Sequence, residues 1–242
     1  MASLVNRLMC GIRLAPSVWK GISPKRLGLA EVKTPIQISS VRLQGTSSKL
    51  FETPSSDSKP ISRFPIPERE TLPRDIKRFM EDVEKQSGFL PNIFKLMSYV
   101  PESFQPFFGY YEILMADRGN LTKADKELIT VAISSENRCL YCSVSHRAML
   151  RMLTEDPQLT DQVTVNWKSA NLTDRQRAIL EFAMAVTKNQ PITEEHFTNL
   201  EVHGLSERDA FDIGHFACFF AMANRMAIFT SLRPNDEFYM LD

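Results

Sequence analysis

The 242-residue sequence has no long apolar run, no net charge and only four cysteines. Its densest apolar stretch, Ile213–Met222, spans ten residues and includes His215, whereas a membrane span needs roughly 18. Basic and acidic residues number 29 each, so the chain as a whole does not attract nucleic acid. Four cysteines are too few for a disulfide scaffold in a chain of this length. We therefore expect a globular protein that binds neither membrane nor nucleic acid.

Charge is unevenly distributed along the chain. Residues 1–60 contain nine Lys or Arg and three Asp or Glu, a balance of +6. Within this acid-poor region Leu4, Leu8 and Ile12 recur at helical spacing. The composition is typical of a mitochondrial transit peptide, and a disordered basic tail is the alternative. We predict that residues 1–45 are a transit peptide and that the protein is located in the mitochondrial matrix.

The next segment differs in composition from both of its neighbours. Residues 46–63 are rich in Ser, Thr and Pro and contain little apolar surface to bury. Such a composition is typical of a linker. The folded domain is therefore expected over residues 64–242.

The positions of proline and the helix-start signals indicate the fold class. Eleven of the fourteen prolines lie at or before Pro106, so long stretches of the remaining chain lack a helix breaker. Thr122 with Asp125, and Thr173 with Gln176, have the spacing of capping boxes. Apolar residues recur at intervals of three and four. We predict an all-α helical bundle. The predicted helices lie near residues 75–87, 102–116, 123–135, 140–152, 173–188, 193–202 and 206–229.

A weak internal repeat has a period of 51 residues. The shift superposes Leu121-Thr122 on Leu172-Thr173 and aligns the apolar positions that follow. The pattern predicts two related helical units. The copies differ where Glu127 meets Ala178, and packing alone does not require a glutamate at that position.

Two thiols and a base are close together in sequence. Cys139 and Cys142 are three residues apart, and His146 follows four residues later, so all three share one helix face. A shift of two pKa units, enough to make a thiol mostly ionised at neutral pH, requires roughly 2.7 kcal/mol. A helix N-terminus supplies only ~0.3–1 kcal/mol. His146 lies one turn beyond Cys142, so it is positioned to supply the remaining free energy of this pKa shift. Cys142 is therefore the better candidate nucleophile.

Other interpretations of these residues remain open. The two cysteines and the histidine could be inert packing residues, or three ligands of a zinc ion whose fourth ligand is Glu127 or Glu136. Glu127 could instead form a surface ion pair with Lys123, four residues earlier. Two further function classes follow. One is a non-catalytic helical assembly protein, and the other is an acid–base enzyme that acts on a small carboxylic acid without needing both thiols.

Glu127, the segment Asn137–Cys142 and His146 together resemble the alkylhydroperoxidase D-like and carboxymuconolactone decarboxylase superfamily, in its peroxidase-related branch. The similarity covers about Phe64–Tyr239. Weaker matches within it are Gly88–Asn92, Gly204–Ser206, Asn224-Arg225 and Glu237–Tyr239. The resemblance implies an all-α fold with a duplicated core and self-association into trimers or hexamers. It also implies reduction of hydrogen peroxide or organic hydroperoxides by the dithiol. We expect the site to contain no cofactor and no metal.

The resemblance also implies a role for each site residue. Cys142 would be the peroxide-attacking thiolate and Cys139 the resolving thiol, with Glu127 and His146 as a proton relay. The resulting disulfide would be reopened by a dithiol reductant of the thioredoxin-like or lipoyl class. Tyr141 stands where active hydroperoxidases of the family have a histidine between the cysteines, so the proton path is expected to differ here.

Remaining features of the last long helix suggest packing and self-association. Asp212, His215 and Cys218 recur at helical spacing among phenylalanines, and we expect them to pack in the core. Arg225 lies among apolar residues and is expected to form a buried ion pair or a subunit contact. The phenylalanines around Phe104–Phe108 and Phe216–Phe229 offer more apolar surface than the core needs. They are therefore expected to mediate oligomer contacts.

Overall fold

The computed structural model describes residues 60–241, which form a helical bundle without β-strands in that range. Its nine α-helices are α1 (Arg74–Ser87), α2 (Asn92–Met97), α3 (Pro101–Met115), α4 (Lys123–Glu136), α5 (Leu140–Thr154), α6 (Pro157–Asn166), α7 (Asp174–Thr187), α8 (Glu194–Val202) and α9 (Glu207–Phe229). Short 3₁₀ helices lie at Arg69–Thr71, Trp167–Ser169 and Asp236–Tyr239. None of the helices in this part of the chain is long and apolar enough to cross a membrane.

All seven predicted helices are present, so the all-α prediction is confirmed. The short helices α2 and α6 are absent from the prediction. Pro157, taken there as a helix breaker, is the first residue of α6. Asp156 caps this helix because its side chain accepts the N–H of Leu159 at 2.9 Å. Proline is tolerated at a first helical position because the N–H that it lacks has no intrahelical partner there.

Two predicted capping boxes fix the starts of α4 and α7. At α4 the Thr122 N–H donates to the Asp125 carboxylate at 2.8 Å, and the Asp125 N–H donates to the Thr122 hydroxyl at 3.1 Å. At α7 the corresponding bonds join Thr173 and Gln176 at 2.9 and 3.2 Å. Because these bonds satisfy N–H groups that lack intrahelical partners, each helix begins at a defined residue.

The predicted repeat is present in the backbone. Helices α4 and α7 each contain 14 residues and begin 51 residues apart. Each is followed by a turn with one residue in the left-handed region, Arg138 (φ 56°) in the first and Asn189 (φ 54°) in the second. The chain therefore contains two related helical units.

Helix α4 lies in the middle of the bundle and packs against α5, α7 and α9. Five of its apolar residues are at most 1% exposed: Leu128, Ile129, Val131, Ala132 and Ile133. Each large aliphatic side chain buried in this way stabilises the fold by roughly 1.5–3 kcal/mol. Any polar side chain on α4 that faces its neighbours is thus held in a rigid, dry environment.

The packed chain begins slightly before the expected boundary at Phe64. The hydroxyl of Ser62 and the N–H of Arg63 both donate to the carbonyl of Thr230, at 2.8 and 2.9 Å. These bonds join the end of the expected linker to the C-terminal end of α9. The predicted transit peptide, residues 1–45, and residues 46–59 of the linker lie outside the described residues.

The expected core packing of three α9 residues holds only for Asp212, which is buried. Cys218 is exposed, so the prediction is wrong for this residue. His215 is half-buried, and its Nδ1 lies 2.9 Å from the Tyr110 hydroxyl. Arg225 is exposed and donates to the carbonyl of Ala221 one turn earlier, so the expected buried ion pair is also wrong.

Six of the eight phenylalanines of α3 and α9 are buried or half-buried, and Phe211 and Phe229 are the two exposed ones. Phe104 and Phe108 are buried and form an aromatic cluster with Phe79 and Phe94. They therefore belong to the core and offer no surface for self-association. Helix α9, by contrast, has exposed apolar side chains at Phe211, Met222, Ile228 and Phe229.

Candidate active site

Glu127 and His146 form a pair at the contact between α4 and α5. The Glu127 side chain is fully buried, and its Oε2 lies 2.8 Å from Nδ1 of His146. Lys123, the alternative partner considered for Glu127, pairs with Asp117 at 3.8 Å. With Nδ1 of His146 bonded to a carboxylate, Nε2 is the ring nitrogen left to exchange a proton with a thiol or substrate.

The two thiols lie at the start of α5. The left-handed residue Arg138 redirects the chain after α4, so Cys139 becomes the N-cap residue of α5. Its Sγ accepts the backbone N–H of Cys142 at 3.4 Å. Both cysteines are free thiols and both are buried. The turn thus places two sulfur atoms at the positive end of a helix, where a thiolate is favoured.

Hydrogen bonding between the thiols separates their pKa values. The bond from the Cys142 side chain lowers the pKa of Cys139 to about 7 despite burial, aided by the Cys142 backbone N–H, the charge of His146 and the Asn224 amide. The same bond, together with burial, raises the pKa of Cys142 well above its usual value. The pair therefore holds a single thiolate near neutral pH, and the hydrogen bond between the thiols favours Cys139 over Cys142 as its carrier.

A cavity of about 120 Å³ adjoins the pair. Glu127, His146 and Cys142 contribute to its wall, whereas Cys139 does not. Most of the remaining wall is aromatic and includes Phe94, Phe107, Phe108, Phe219 and Phe220. A mostly apolar cavity with a few convergent polar groups is the usual form of a small-molecule site. A molecule in this cavity would contact Cys142 and not Cys139.

Residues 101–185 match the model of the carboxymuconolactone decarboxylase family. A solved structure from Ralstonia eutropha JMP134, described as an alkylhydroperoxidase AhpD core and uncharacterized peroxidase-related protein, is 43% identical with a TM-score of 0.74. The alignment covers 76% of this chain and 97% of that one. The chain belongs to the carboxymuconolactone decarboxylase family, which includes the alkylhydroperoxidase D-like proteins. A peroxidase-related protein from Silicibacter sp. TM1040 is 34% identical, with a TM-score of 0.71 and coverage of 76% and 97%.

A more distant structural neighbour differs in its described chemistry. The debrominase Bmp8 is 20% identical with a TM-score of 0.61, and the alignment covers 75% of this chain and 95% of Bmp8. At this identity the likeness shows the fold alone. No protein with a curated description matches the chain. The comparisons confirm the predicted family and its helical fold.

Two site residues were not among the predicted ones. Tyr111 of α3 is half-buried in the cavity wall, and its hydroxyl donates to Oε1 of Glu127 over 3.5 Å. Burial, followed by the charge of Glu127, raises the pKa of Tyr111 well above its usual value, so its phenol stays protonated. Asn224 of α9 is fully buried beside the thiols. No sequence spacing relates Tyr111 to Glu127, and Asn224 carried only a weak family match.

Tyr141, which stands where active hydroperoxidases of the family have a histidine, has a structural role. Its hydroxyl accepts the N–H of Ile93 at 3.1 Å, and its ring packs edge-on against Phe238. Burial raises the pKa of Tyr141 far above its usual range. Because the phenol stays protonated and its oxygen is engaged with the α2 backbone, Tyr141 is poorly suited to pass protons to the thiols.

The zinc interpretation finds no support in residues 60–241. No group of three or more His, Cys, Asp or Glu side chains in this range has an arrangement that could hold a metal ion. Glu136, one of the two proposed fourth ligands, pairs with Lys188 at 3.0 Å. Glu127, the other, is bonded to His146.

Proposed function

We propose that the protein is a dithiol peroxidase that reduces hydrogen peroxide or organic hydroperoxides. The observation that carries the proposal is the position of Cys142 in the cavity wall, next to the Glu127–His146 pair and with Cys139 directly behind it. A nucleophile, a proton carrier and a second thiol are thus together at one small-molecule cavity. Membership of the peroxidase-related branch supports the same chemistry.

The first step begins with a proton transfer within the thiol pair. The proton of Cys142 passes to the Cys139 thiolate, which leaves a thiolate on the sulfur that lines the cavity. This sulfur attacks the peroxide and breaks the O–O bond, so Cys142 becomes a sulfenic acid. The leaving oxygen takes a proton from His146 and departs as an alcohol or water. Glu127 stabilises the positive charge that His146 carries before this transfer.

The second step forms a disulfide. The Cys139 thiol attacks the sulfenic acid sulfur, and one water molecule is released as the Cys139–Cys142 disulfide forms. The adjacent thiol thereby protects Cys142 from further oxidation. A dithiol of the thioredoxin-like or lipoyl class then returns two electrons and two protons by thiol–disulfide exchange.

Mass spectrometry of the peptide that contains both cysteines tests this function. One equivalent of hydroperoxide should convert the reduced protein to the Cys139–Cys142 disulfide. The variant Cys139→Ser should stop at a sulfenic acid on Cys142, and Cys142→Ser should not react. An unmodified Cys142 in the unaltered protein under excess peroxide would refute the proposal, and a sulfenic acid on Cys139 in Cys142→Ser would reverse the assigned roles.

A second candidate function is acid–base chemistry on a small carboxylic acid. The observation that favours it is the Glu127–His146 pair at an apolar cavity, in a chain that matches the decarboxylase family model. This chemistry would not need the thiols. An activity that persists when both cysteines are replaced by serine would select this candidate over the peroxidase.

We also propose import into the mitochondrial matrix, directed by residues 1–45. The proposal is supported by the positive, acid-poor composition of this region. Deletion of residues 1–60 keeps the bonds of Ser62 and Arg63 to α9, so the shortened protein should retain its melting temperature but lose import. Import of the shortened protein would contradict the proposal.

Self-association into a trimer or hexamer is a further part of the proposed function. The exposed apolar side chains of Phe211, Met222 and Phe229 on one long helix support it, since such surface favours burial against another subunit. Light scattering on residues 60–242 should show an oligomer. Phe211→Asp with Phe229→Asp should dissociate it, and a monomer at micromolar concentration for the unaltered protein would refute this assembly.

A further inference from the structure

Asn224 of α9 is held at both ends of its side-chain amide. It is fully buried, and its Oδ1 accepts an N–H from the Asn137 side chain at 2.9 Å. Its Nδ2 donates to the Ser134 hydroxyl at 3.0 Å. Because one end accepts and the other donates, the orientation of the amide is fixed by its partners.

The partners of Asn224 belong to the turn that carries the first thiol. Ser134 and Asn137 precede Cys139 by five and two residues, and the Cys139 N–H donates to the Ser134 carbonyl at 2.9 Å. Helix α9 is therefore connected through a single amide to the backbone segment that positions the sulfur atoms. The Asn224 amide lowers the pKa of Cys139 and opposes the rise in the pKa of Cys142.

An amide nitrogen carries two hydrogens, and only one is used by Ser134. The oxygen end of the amide is occupied by Asn137, so the group of Asn224 that could donate to a sulfur atom is the second N–H. Hydrogen bonds to charged groups are stronger than those between neutral groups. In a buried site a donor of this kind favours a thiolate over a thiol.

We propose that Asn224 donates this second N–H to the Cys139–Cys142 pair and stabilises the reactive thiolate, while Ser134 and Asn137 are positioning residues that aim the amide. The assignment gives α9 a chemical role in a site otherwise built from α3, α4 and α5. It rests on the dithiol being the reactive group of the proposed function. The alternative is that Asn224 only connects α9 to the turn, with no effect on the sulfur atoms.

Titration of the thiols separates the two roles. A Cys10→Ser, Cys218→Ser background leaves only the pair, whose ionisation is then followed by thiolate absorbance in the ultraviolet as a function of pH. Asn224→Ala removes the donor without adding charge and should reduce the thiolate fraction at neutral pH by about tenfold. Asn224→Asp still accepts bonds from Asn137 and Ser134 but places a negative charge by the sulfur atoms, so its reduction should be larger.

The positioning residues provide a test that does not depend on the folding of the Asn224 variants. Asn137→Ala and Ser134→Ala each free one end of the amide and should reduce the thiolate fraction by a smaller factor. Asn235 supplies a matched control, because it is a buried asparagine whose amide bonds only backbone groups of Leu90 and Asn92. Asn235→Ala should lower the melting temperature without moving the thiol titration.

Either of two results would overturn this role for Asn224. One is that folded Asn224→Ala or Asn224→Asp has the same thiol titration curve as the unaltered protein. The other is that Asn137→Ala and Ser134→Ala both have the same thiol titration curve as the unaltered protein. Failure of the peroxidase function would look different, because the unaltered protein would then not react with hydroperoxide although its thiols still titrate near the expected pH.

Discussion

The two repeated units share a backbone design but differ in their side-chain chemistry. Both begin at a threonine with a capping box, run for 14 residues and end in a turn with a left-handed residue. The turn of the first unit contains the bond from the Cys139 N–H to the Ser134 carbonyl at 2.9 Å. In the second, Gln190 donates to Ala185 in the same way at 2.8 Å. A local backbone pattern therefore forms the same scaffold twice, with or without a reactive site.

The chemical difference lies at four positions related by the 51-residue shift. In the second unit Ala178, Gln190, Thr193 and Phe197 stand at the positions of Glu127, Cys139, Cys142 and His146. None of these counterparts supplies a thiol, an acid or a base with a pKa near neutrality. The backbone scaffold therefore needs only helix caps and apolar spacing, whereas the candidate site also needs the acid, the two thiols and the histidine of the first unit.

Among the residues that distinguish the two units, Glu127 is the one whose replacement should have the largest effect on the rate of peroxide reduction. Glu127→Gln keeps the shape of the residue but removes the charge that pairs with His146. If the pair works in proton transfer, the rate of peroxide reduction should fall by about 10²- to 10⁴-fold. Glu136→Gln is the control on the same helix, because its partner Lys188 lies outside the site and the rate should be unchanged. Equal rates for the two variants would remove Glu127 from the mechanism.

The thiol pair should give the first unit a pH dependence that the second lacks. The hydrogen bond from the Cys142 side chain lowers the pKa of Cys139 to about 7. The thiolate is therefore present above about pH 7 and is lost as the pH falls through that value. The rate of the single-turnover reaction with peroxide should fall about tenfold for each pH unit below 7 and level off above it. A rate that still rises steeply above pH 9 would indicate an ordinary thiol.

Tyr111 should have a smaller effect, since it acts through Glu127. Tyr111→Phe removes the hydroxyl that donates to Oε1 of the carboxylate, and the rate should fall by about threefold to tenfold with a shifted pH profile. The neighbouring Tyr110→Phe is a matched control, because that hydroxyl pairs with His215 instead. Similar kinetics in both variants would show that Tyr111 has only a packing role.

The smallest effects concern the caps, where the two units should behave alike. Thr122→Ala and Thr173→Ala each remove a capping side chain, which should lower the free energy of unfolding by about 1 kcal/mol. The loss for Thr122 should be at least as large, because its partner Asp125 also pairs with Arg175 of α7 at 2.8 Å. Chemical denaturation measures both values. If Thr173→Ala lowered the free energy of unfolding much more than Thr122→Ala does, the second unit would depend more on its cap than the first unit does.

Much of the site could be predicted because its residues are close in sequence. Cys139, Cys142 and His146 lie within two turns of one helix, and helical periodicity alone places them on one face. Glu127 was found through the repeat and the family resemblance. The exposure of Cys218 could not be predicted from spacing, since a helical period does not show which face of α9 is covered by neighbouring helices.

The sequence by itself determined seven of the nine helices, two of their capping boxes and the grouping of two thiols with a histidine, because these depend on contacts within a few residues. Only the tertiary structure decided which thiol is favoured as the thiolate and which one lines the cavity. It also brought Tyr111 and Asn224 to the site from α3 and α9, separated from it by long stretches of chain. Burial and long-range packing set these features, and neither is encoded in local spacing.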